Sequence, residues 1–278
     1  MAHIRANGID IHYRIDGDRA PTRPWLVFSH SLACDLTMWD EQAAEFSRAL
    51  NVLRYDTRGH GASSAPAGDY SLEMLADDLN ALLDALKIPR CHFVGLSLGG
   101  MVGQMAALRW PLRIASLTLA DTTSRYAPES RAMWEQRIAA ASTPQGMNAI
   151  VPATLERWFT AGFRRMRPDV TAKIGAQIRA TPVEGYIGCA RAIARLSLTA
   201  RLGAIACPTL VVVGDEDHAT PFSAAEEIAR AIQGARLERI AGAAHLSAVE
   251  QPDRFNAVLR DFLLRSASRG GSDAGGGT

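Results

Sequence analysis

Lysine is nearly absent from this chain of 278 residues: of its 30 basic side chains only Lys87 and Lys173 are lysines, and the rest are arginines. Cysteine is scarce too. Cys34, Cys91, Cys189 and Cys207 form no CxxC pair and no spaced framework, which excludes a disulfide scaffold and points to buried thiols in a reducing compartment. No apolar run reaches the length that crosses a bilayer, and Met1-Ala-His-Ile-Arg-Ala-Asn-Gly8 has no apolar signal core. A cytoplasmic protein without a membrane partner is therefore expected. Aromatic residues make up 6% of the chain and are not interleaved with basic ones, and no nucleic-acid module is recognisable, so nucleic acid is not an expected partner. What remains is 47% hydrophobic with a net charge of +1, enough to bury the core of one large α/β domain, with or without an insertion.

Gly95-Leu-Ser97-Leu-Gly99 lies between an apolar run, Cys91-His-Phe-Val94, and a small-residue helical stretch, Gly100-Met-Val-Gly-Gln-Met-Ala-Ala-Leu108. That places Ser97 on a sharp strand-to-helix turn, where glycine is needed on both sides and the hydroxyl is lifted clear of the sheet. A serine hydroxyl is a weak nucleophile at neutral pH and needs a base, and the base needs a group to orient it. Candidates for both follow the serine in the chain. Val211-Val-Val-Gly-Asp-Glu-Asp217 and Ile240-Ala-Gly-Ala-Ala-His245 each carry such a residue just beyond a predicted strand. Asp217 would fix the tautomer of His245, and His245 would take the Ser97 proton and return one to the leaving group. Asp121, at the end of Ile114-Ala-Ser-Leu-Thr-Leu-Ala120, is the alternative acid, its bland reading being a strand-end carboxylate.

The oxyanion formed by attack on a carbonyl needs two donors. One is the Leu98 amide at the start of the helix, and the candidate for the second is the Leu32 amide, in the loop after the strand Trp25-Leu-Val-Phe-Ser29. His30 reads as a residue that shapes that loop. His60 reads as a turn-shaping residue near the site, with Asp56 and Arg58 pairing structurally; His3 and His12 fall in an N-terminal hairpin, and His92 and His218 as partly exposed polar residues. Asp215-Glu-Asp-His218 is not a metal site, because adjacent loop residues rarely converge on one ion and no spaced His or Cys set accompanies them.

Ile9 to Ile15 alternates as a strand, Met38 to Leu50 reads as a helix and Asn51 to Tyr55 as a strand. Leu72, Leu75, Leu79, Leu82, Leu83 and Leu86 recur at spacings of three and four, the pattern of a core-facing helix ended by Pro89. Strands at Thr209–Gly214 and Ala235–Ile240 flank a helix from Ser223 to Ile232, and Pro252 opens a last helix. Strands alternating with helices predict a mostly parallel, eight-stranded sheet covered on both faces. The alternation stops between 125 and 197, where helical stretches broken at Pro144, Pro152, Pro168 and Pro182 read as a helical cap inserted after the sixth strand. The expected organisation is thus a core in two parts, 1–124 and 198–265, the cap 125–197, and a disordered tail 266–278. The cap carries eleven basic and five acidic residues against nineteen and twenty-four elsewhere, a balance that either gathers anionic substrates over the serine or scatters solvated arginines on exposed helices.

Phe28-Ser-His-Ser31-Leu32 with Met38-Trp39, Tyr55-Asp-Thr-Arg-Gly-His-Gly61, Gly95-Leu-Ser-Leu-Gly-Gly-Met-Val-Gly-Gln104, Leu155-Glu-Arg-Trp158-Phe-Thr and Glu184-Gly-Tyr-Ile-Gly-Cys-Ala190 together resemble the 3-oxoadipate enol-lactonases of the α/β-hydrolase superfamily. The resemblance runs from His3 to Leu264. Related haloperoxidase-like and perhydrolase proteins usually show His-Gly followed by an aromatic and proline where this chain has His30-Ser31-Leu32. The resemblance implies a cytoplasmic serine esterase that opens 3-oxoadipate enol-lactone to 3-oxoadipate in aromatic-compound breakdown, with no cofactor and no metal. Its partner would be a small anionic lactone or ester; self-association is left open, and no decarboxylase module of the kind fused to some relatives is expected. Ser31, Trp134, Arg137 and Trp158 are the expected substrate contacts, against packing or solvent exposure as the plain alternative for each. A general carboxylesterase or perhydrolase would use the same residues on neutral esters. A non-catalytic binder on this fold is disfavoured by the intact Ser97, Asp217 and His245.

Overall fold

The computed structural model describes residues 2–270. Strands β1 (Ala2–Ala6), β2 (Ile9–Asp16), β3 (Trp25–Ser29), β4 (Asn51–Tyr55), β5 (Cys91–Leu96), β6 (Ile114–Ala120), β7 (Thr209–Gly214) and β8 (Arg236–Ile240) form one sheet in the order β1-β2-β4-β3-β5-β6-β7-β8. β1 pairs antiparallel with β2 and β2 with β4, and every pairing from β4 to β8 is parallel. The helices are α1 (Asp40–Phe46), α2 (Leu72–Ala85), α3 (Leu98–Arg109), α4 (Ser130–Ala141), α5 (Val151–Trp158), α6 (Ala161–Met166), α7 (Pro168–Ala180), α8 (Val183–Ala194), α9 (Phe222–Ala231), α10 (Ser247–Glu250) and α11 (Pro252–Gly270).

Alternation along the central strands explains why both faces are covered. Phe93 packs under Gly103 of α3, while Phe28, in register with Val94 and so on the opposite face, meets Trp39 and Phe46, and Trp39 in turn meets Phe255 of α11. Hence α3 lies on one face and α1 with α11 on the other. The arrangement is an eight-stranded, mostly parallel α/β sheet.

Three local expectations are corrected. The helix expected over Met38–Leu50 is a 3₁₀ turn, Leu36–Trp39, capped by the Asp35 carboxylate on the Thr37 amide, followed by α1, which stops at Phe46. The amides of Ala49 and Leu50 both turn back to the Phe46 carbonyl and deliver the chain into β4. Helix α2 ends before Pro89: Lys87 takes φ +57°, and the Ile88 amide bonds back to Leu83. Of the tail expected after residue 265, 266–270 continue α11, with the Ser266 hydroxyl on the Phe262 carbonyl, and 271–278 lie outside the described residues.

Helices α4 to α8 form an insert between β6 and β7, two neighbouring strands of the sheet. Pro152 and Pro168 sit in the first turns of α5 and α7, where the missing N–H costs nothing, so they begin helices and do not break them. The insert leaves and returns at one place: Arg125 bridges Ser197, the Tyr126 amide bonds the Leu196 carbonyl, and the Leu198 amide bonds the Ser124 carbonyl. Among the described residues no helix is long and apolar enough to cross a membrane.

The turn from β5 into α3 is a tight junction of backbone against backbone. A Cβ on Gly99 would lie 2.2 Å from the Ser29 carbonyl oxygen, and one on Gly95 would lie 2.2 Å from the Gly99 carbonyl oxygen. A Gly99→Ala variant is expected to lose about 3 kcal/mol or more, because backbone on both sides must move. Gly203→Ala, whose added Cβ would meet nothing nearer than 3.7 Å, should change stability by less than about 1 kcal/mol. Urea midpoints of the two variants check the difference.

Candidate active site

Ser97 sits at the tip of β5 with φ +55° and ψ −112°, a conformation that a non-glycine residue holds only under constraint. The constraint is visible. Its amide donates to the Ala120 carbonyl at 2.9 Å, and its carbonyl accepts from the Thr122 hydroxyl at 2.8 Å and from the Met101 amide at 3.0 Å. The side chain is left to face the loops beyond β7 and β8. There the His245 Nε2 lies 3.0 Å from the Ser97 Oγ, and the His245 Nδ1 lies 2.9 Å from Asp217 Oδ2. A carboxylate can only accept, so Nδ1 carries the proton and Nε2 is left as acceptor for the serine hydroxyl. The three residues are buried together, with Ser97 the most accessible at 7%.

Asp217 is built to stay ionised. Burial alone would raise its pKa, but His245 and the donors from Thr220 outweigh that and hold the carboxyl below the usual carboxylate range. Its Oδ1 accepts from the Ala219 and Thr220 amides at 2.7 and 3.0 Å, and its Oδ2 also accepts from the Thr220 hydroxyl at 2.7 Å. Asp121, the alternative acid, is fully buried with φ +44° and makes no bond to His245. Its Oδ1 takes the Gly214 amide, and its Oδ2 takes the Ser247 amide and hydroxyl. Burial, and then the charge of Asp217, push its pKa well up. Asp121 therefore ties the tips of β6 and β7 to the loop that carries His245.

The Leu98 amide opens α3 directly behind Ser97, and Leu32 lies in the loop after β3. Neither amide has an acceptor among the described residues. The Leu32 loop is rigidly held: His30 donates from Nδ1 to the Ser31 carbonyl at 2.7 Å and accepts the Thr57 amide on Nε2 at 2.9 Å, and Ala33 takes φ +60°. His60 packs beside His30 with its pKa lowered to about 3 by burial and then by the His30 ring, so it stays neutral. Asp56 and Arg58 do pair structurally, though not with one another. Asp56 meets His12 at 2.6 Å and the Leu36 and Ala62 amides, and Arg58 grips Asp78 with two bonds. In Asp215-Glu-Asp-His218 the carboxylates diverge, Asp215 to the Gly242 amide and Asp217 to His245.

A narrow cavity opens onto Ser97 and His245. The core contributes Leu32, Ala33 and Met101, and the insert contributes Trp134, Arg137, Arg157, Trp158 and Tyr186. The Trp158 ring lies 5.9 Å from the His245 ring, and the Arg137 guanidinium lies 4.7 Å from the centre of the Trp134 ring. Trp134 Nε1 is buried without a hydrogen-bond partner. Ser31 is not on the cavity wall: it is fully buried, its amide points to the Met38 sulfur at 3.3 Å, and its hydroxyl has no partner.

Arg157 is the residue that sequence reasoning missed. It is half-buried, and among the described residues neither its guanidinium nor that of Arg137 has an ion pair or hydrogen bond. Burial, and then the positive charge of Arg137, lower its pKa, the signature of a cation held among apolar walls without an anion. The available signal was helical spacing, since Arg157 falls three residues after Thr154 and beside Trp158, both on the buried side of α5.

A family model for the alpha/beta hydrolase fold matches residues 24–252. The chain is 36% identical over 262 residues to 3-oxoadipate enol-lactonase 2 of Acinetobacter baylyi, spanning 94% of this chain and 96% of that protein. It is 30% identical over 266 residues to a putative carbamate hydrolase RutD of Variovorax paradoxus, spanning 94% and 98% of the two. The crystal structure of the enol-lactonase from Burkholderia xenovorans LB400 superimposes with a TM-score of 0.91 at 42% identity, over 95% of this chain and all of that one. With the elbow at Ser97, the parallel sheet and these likenesses together, the chain belongs to the α/β-hydrolase family, as a hydrolase whose relatives there include the 3-oxoadipate enol-lactonases.

Proposed function

We propose that this protein is a serine hydrolase that opens a small carboxylate-bearing enol-lactone, 3-oxoadipate enol-lactone being the best fit. The observation that carries the reading is Arg157, with Arg137 near it, unpaired in the same cavity as Ser97 and His245. Two half-buried cations facing one cavity without an anion are unfavourable unless a ligand supplies the charge, and a guanidinium grips a carboxylate with two parallel hydrogen bonds. The insert acts as the cap that closes this cavity.

In the reaction, the Ser97 Oγ attacks the lactone carbonyl while the His245 Nε2 takes the hydroxyl proton, and Asp217 stabilises the imidazolium that results. The Leu32 and Leu98 amides accept the charge of the tetrahedral oxyanion as donors already in place. Collapse breaks the ring C–O bond, and the departing enol oxygen receives the proton from His245. The ring-opened chain stays on Ser97 as an ester and its enol becomes a ketone. A water molecule, deprotonated by His245, then attacks the ester carbonyl and frees Ser97, leaving a product with one more carboxylate than the substrate.

A neutral-ester hydrolase is the second reading, favoured by the aromatic and Met133 walls of the same cavity. Comparing kcat/KM for the enol-lactone and for p-nitrophenyl acetate separates the two. A large preference for the lactone is expected, and an equal or reversed preference removes the assignment. Arg157→Gln should lower kcat/KM for the lactone by about 30- to 100-fold, the worth of a charge-assisted pair, and change p-nitrophenyl acetate hydrolysis less than about threefold. Ser97→Ala should abolish both activities. Asp217→Asn should cost about 10³- to 10⁴-fold in kcat, and Asp121→Asn less than about 10²-fold, which distinguishes the two acids by steady-state kinetics.

A further inference from the structure

His245 lies in a short loop between β8 and α10 whose amides are anchored one after another. The Ala244 amide donates to Glu250 Oε2 at 2.9 Å, the Leu246 amide to the Trp158 carbonyl at 3.3 Å, and the Ser247 amide to Asp121 Oδ2 at 3.1 Å. Asp121 directly follows β6, but the other two anchors lead into the insert. Trp158 ends α5, and Glu250, 5% exposed, also accepts the amide of Thr160 at 3.0 Å and, in a shorter bond, the Thr160 hydroxyl. Thr160 in turn caps α6, its hydroxyl accepting the Phe163 amide at 3.1 Å. The stretch 158–160 thus does two things: the Trp158 ring faces the cavity beside His245, and the backbone and hydroxyl next to it hold the loop that carries His245.

We propose that Glu250, with Thr160 and the Trp158 carbonyl, is a positioning device that couples the seat of the insert to the placement of His245. The inference rests on the reading of Ser97, Asp217 and His245 given above. With the insert seated, the Ala244, Leu246 and Ser247 amides all have acceptors and Nε2 is held 3.0 Å from the Ser97 Oγ. When the insert lifts, the Leu246 amide loses its acceptor and Glu250 loses its two donors on Thr160. The loop is then free to move by the fraction of an ångström that proton transfer does not tolerate. All the groups facing Glu250 in this device are donors, so a carboxylate fits where a carboxamide would set one N–H against another. The device makes Ser97 fully nucleophilic only beneath a closed roof, and ties exclusion of bulk water to activation of the base.

Glu250→Gln should lower kcat for the lactone at least 10-fold with KM within threefold. Thr160→Val, which keeps the amide and deletes the hydroxyl, should lower kcat several-fold, and Thr160→Ser should restore it. Phosphorylation of Ser97 by diisopropyl fluorophosphate, which needs His245 but no carboxylate grip, should slow by the same factors as kcat. If kcat of both Glu250→Gln and Thr160→Val stays within twofold of the parent, or if only KM changes, the coupling is overturned, whatever the Tm shows. Should Glu250→Gln not fold, the Thr160 pair decides alone. Ser97→Ala assayed alongside keeps the two ideas apart: an active Ser97→Ala sinks the serine mechanism, whereas an inactive one with parent-like Thr160→Val sinks only the coupling.

Discussion

The backbone of Ser97 is the constraint on which the rest of the site depends. A side-chain-bearing residue at φ +55° is held there because β5 and α3 are both fixed by the sheet, and because Gly95 and Gly99 let the turn close against the carbonyls of Gly99 and Ser29. The same closure brings α3 against the tip of β3, so that the helix start and the loop after β3 present their free amides from adjacent strands. A looser turn would displace these two amides as well as the Ser97 hydroxyl.

Three buried carboxylates lie around His245, and their surroundings divide them. Asp217 faces a ring nitrogen, a hydroxyl and two amides, and is held below the carboxylate range. Asp121 and Glu250 accept only amides and hydroxyls, and burial raises both. Opposite shifts in chemically identical groups follow from what each one touches. The one that meets the histidine is suited to face a developing imidazolium, and the other two are suited to hold loops in place.

Much of this was legible in the sequence, and for identifiable reasons. Strand–helix alternation is a periodic signal, so the parallel sheet could be read from it, and Gly95, Ser97 and Gly99 form a local motif whose physics lies within five residues. The structure brings Asp217 and His245 to Ser97, as their positions after predicted strands suggested. What failed depended on contacts distant in the chain. Nothing local says that Phe46 ends α1, that Asp56 turns to His12 while Arg58 turns to Asp78, or that Ser31 is enclosed while Arg157 faces the cavity. An arginine in an arginine-rich helical segment carries no mark of its environment until the helix bounds and the neighbours on both sides are known.

The neck at Arg125 and Ser197 has a consequence for how this chain can change. Because the chain leaves the sheet after β6 and returns to β7 through a single hydrogen-bonded crossing, β6 and β7 pair as though the intervening helices were not there. A replacement segment must cross the backbone only twice, but it must also keep the seats of the insert on the core, among them Thr160 on Glu250, the Trp158 carbonyl on the Leu246 amide and Lys173 on Asp40. The excursion is an insertion in the topological sense: where those seats are kept, its length, charge and helix count can drift while the sheet beneath keeps the same strand order and the same turn at Ser97.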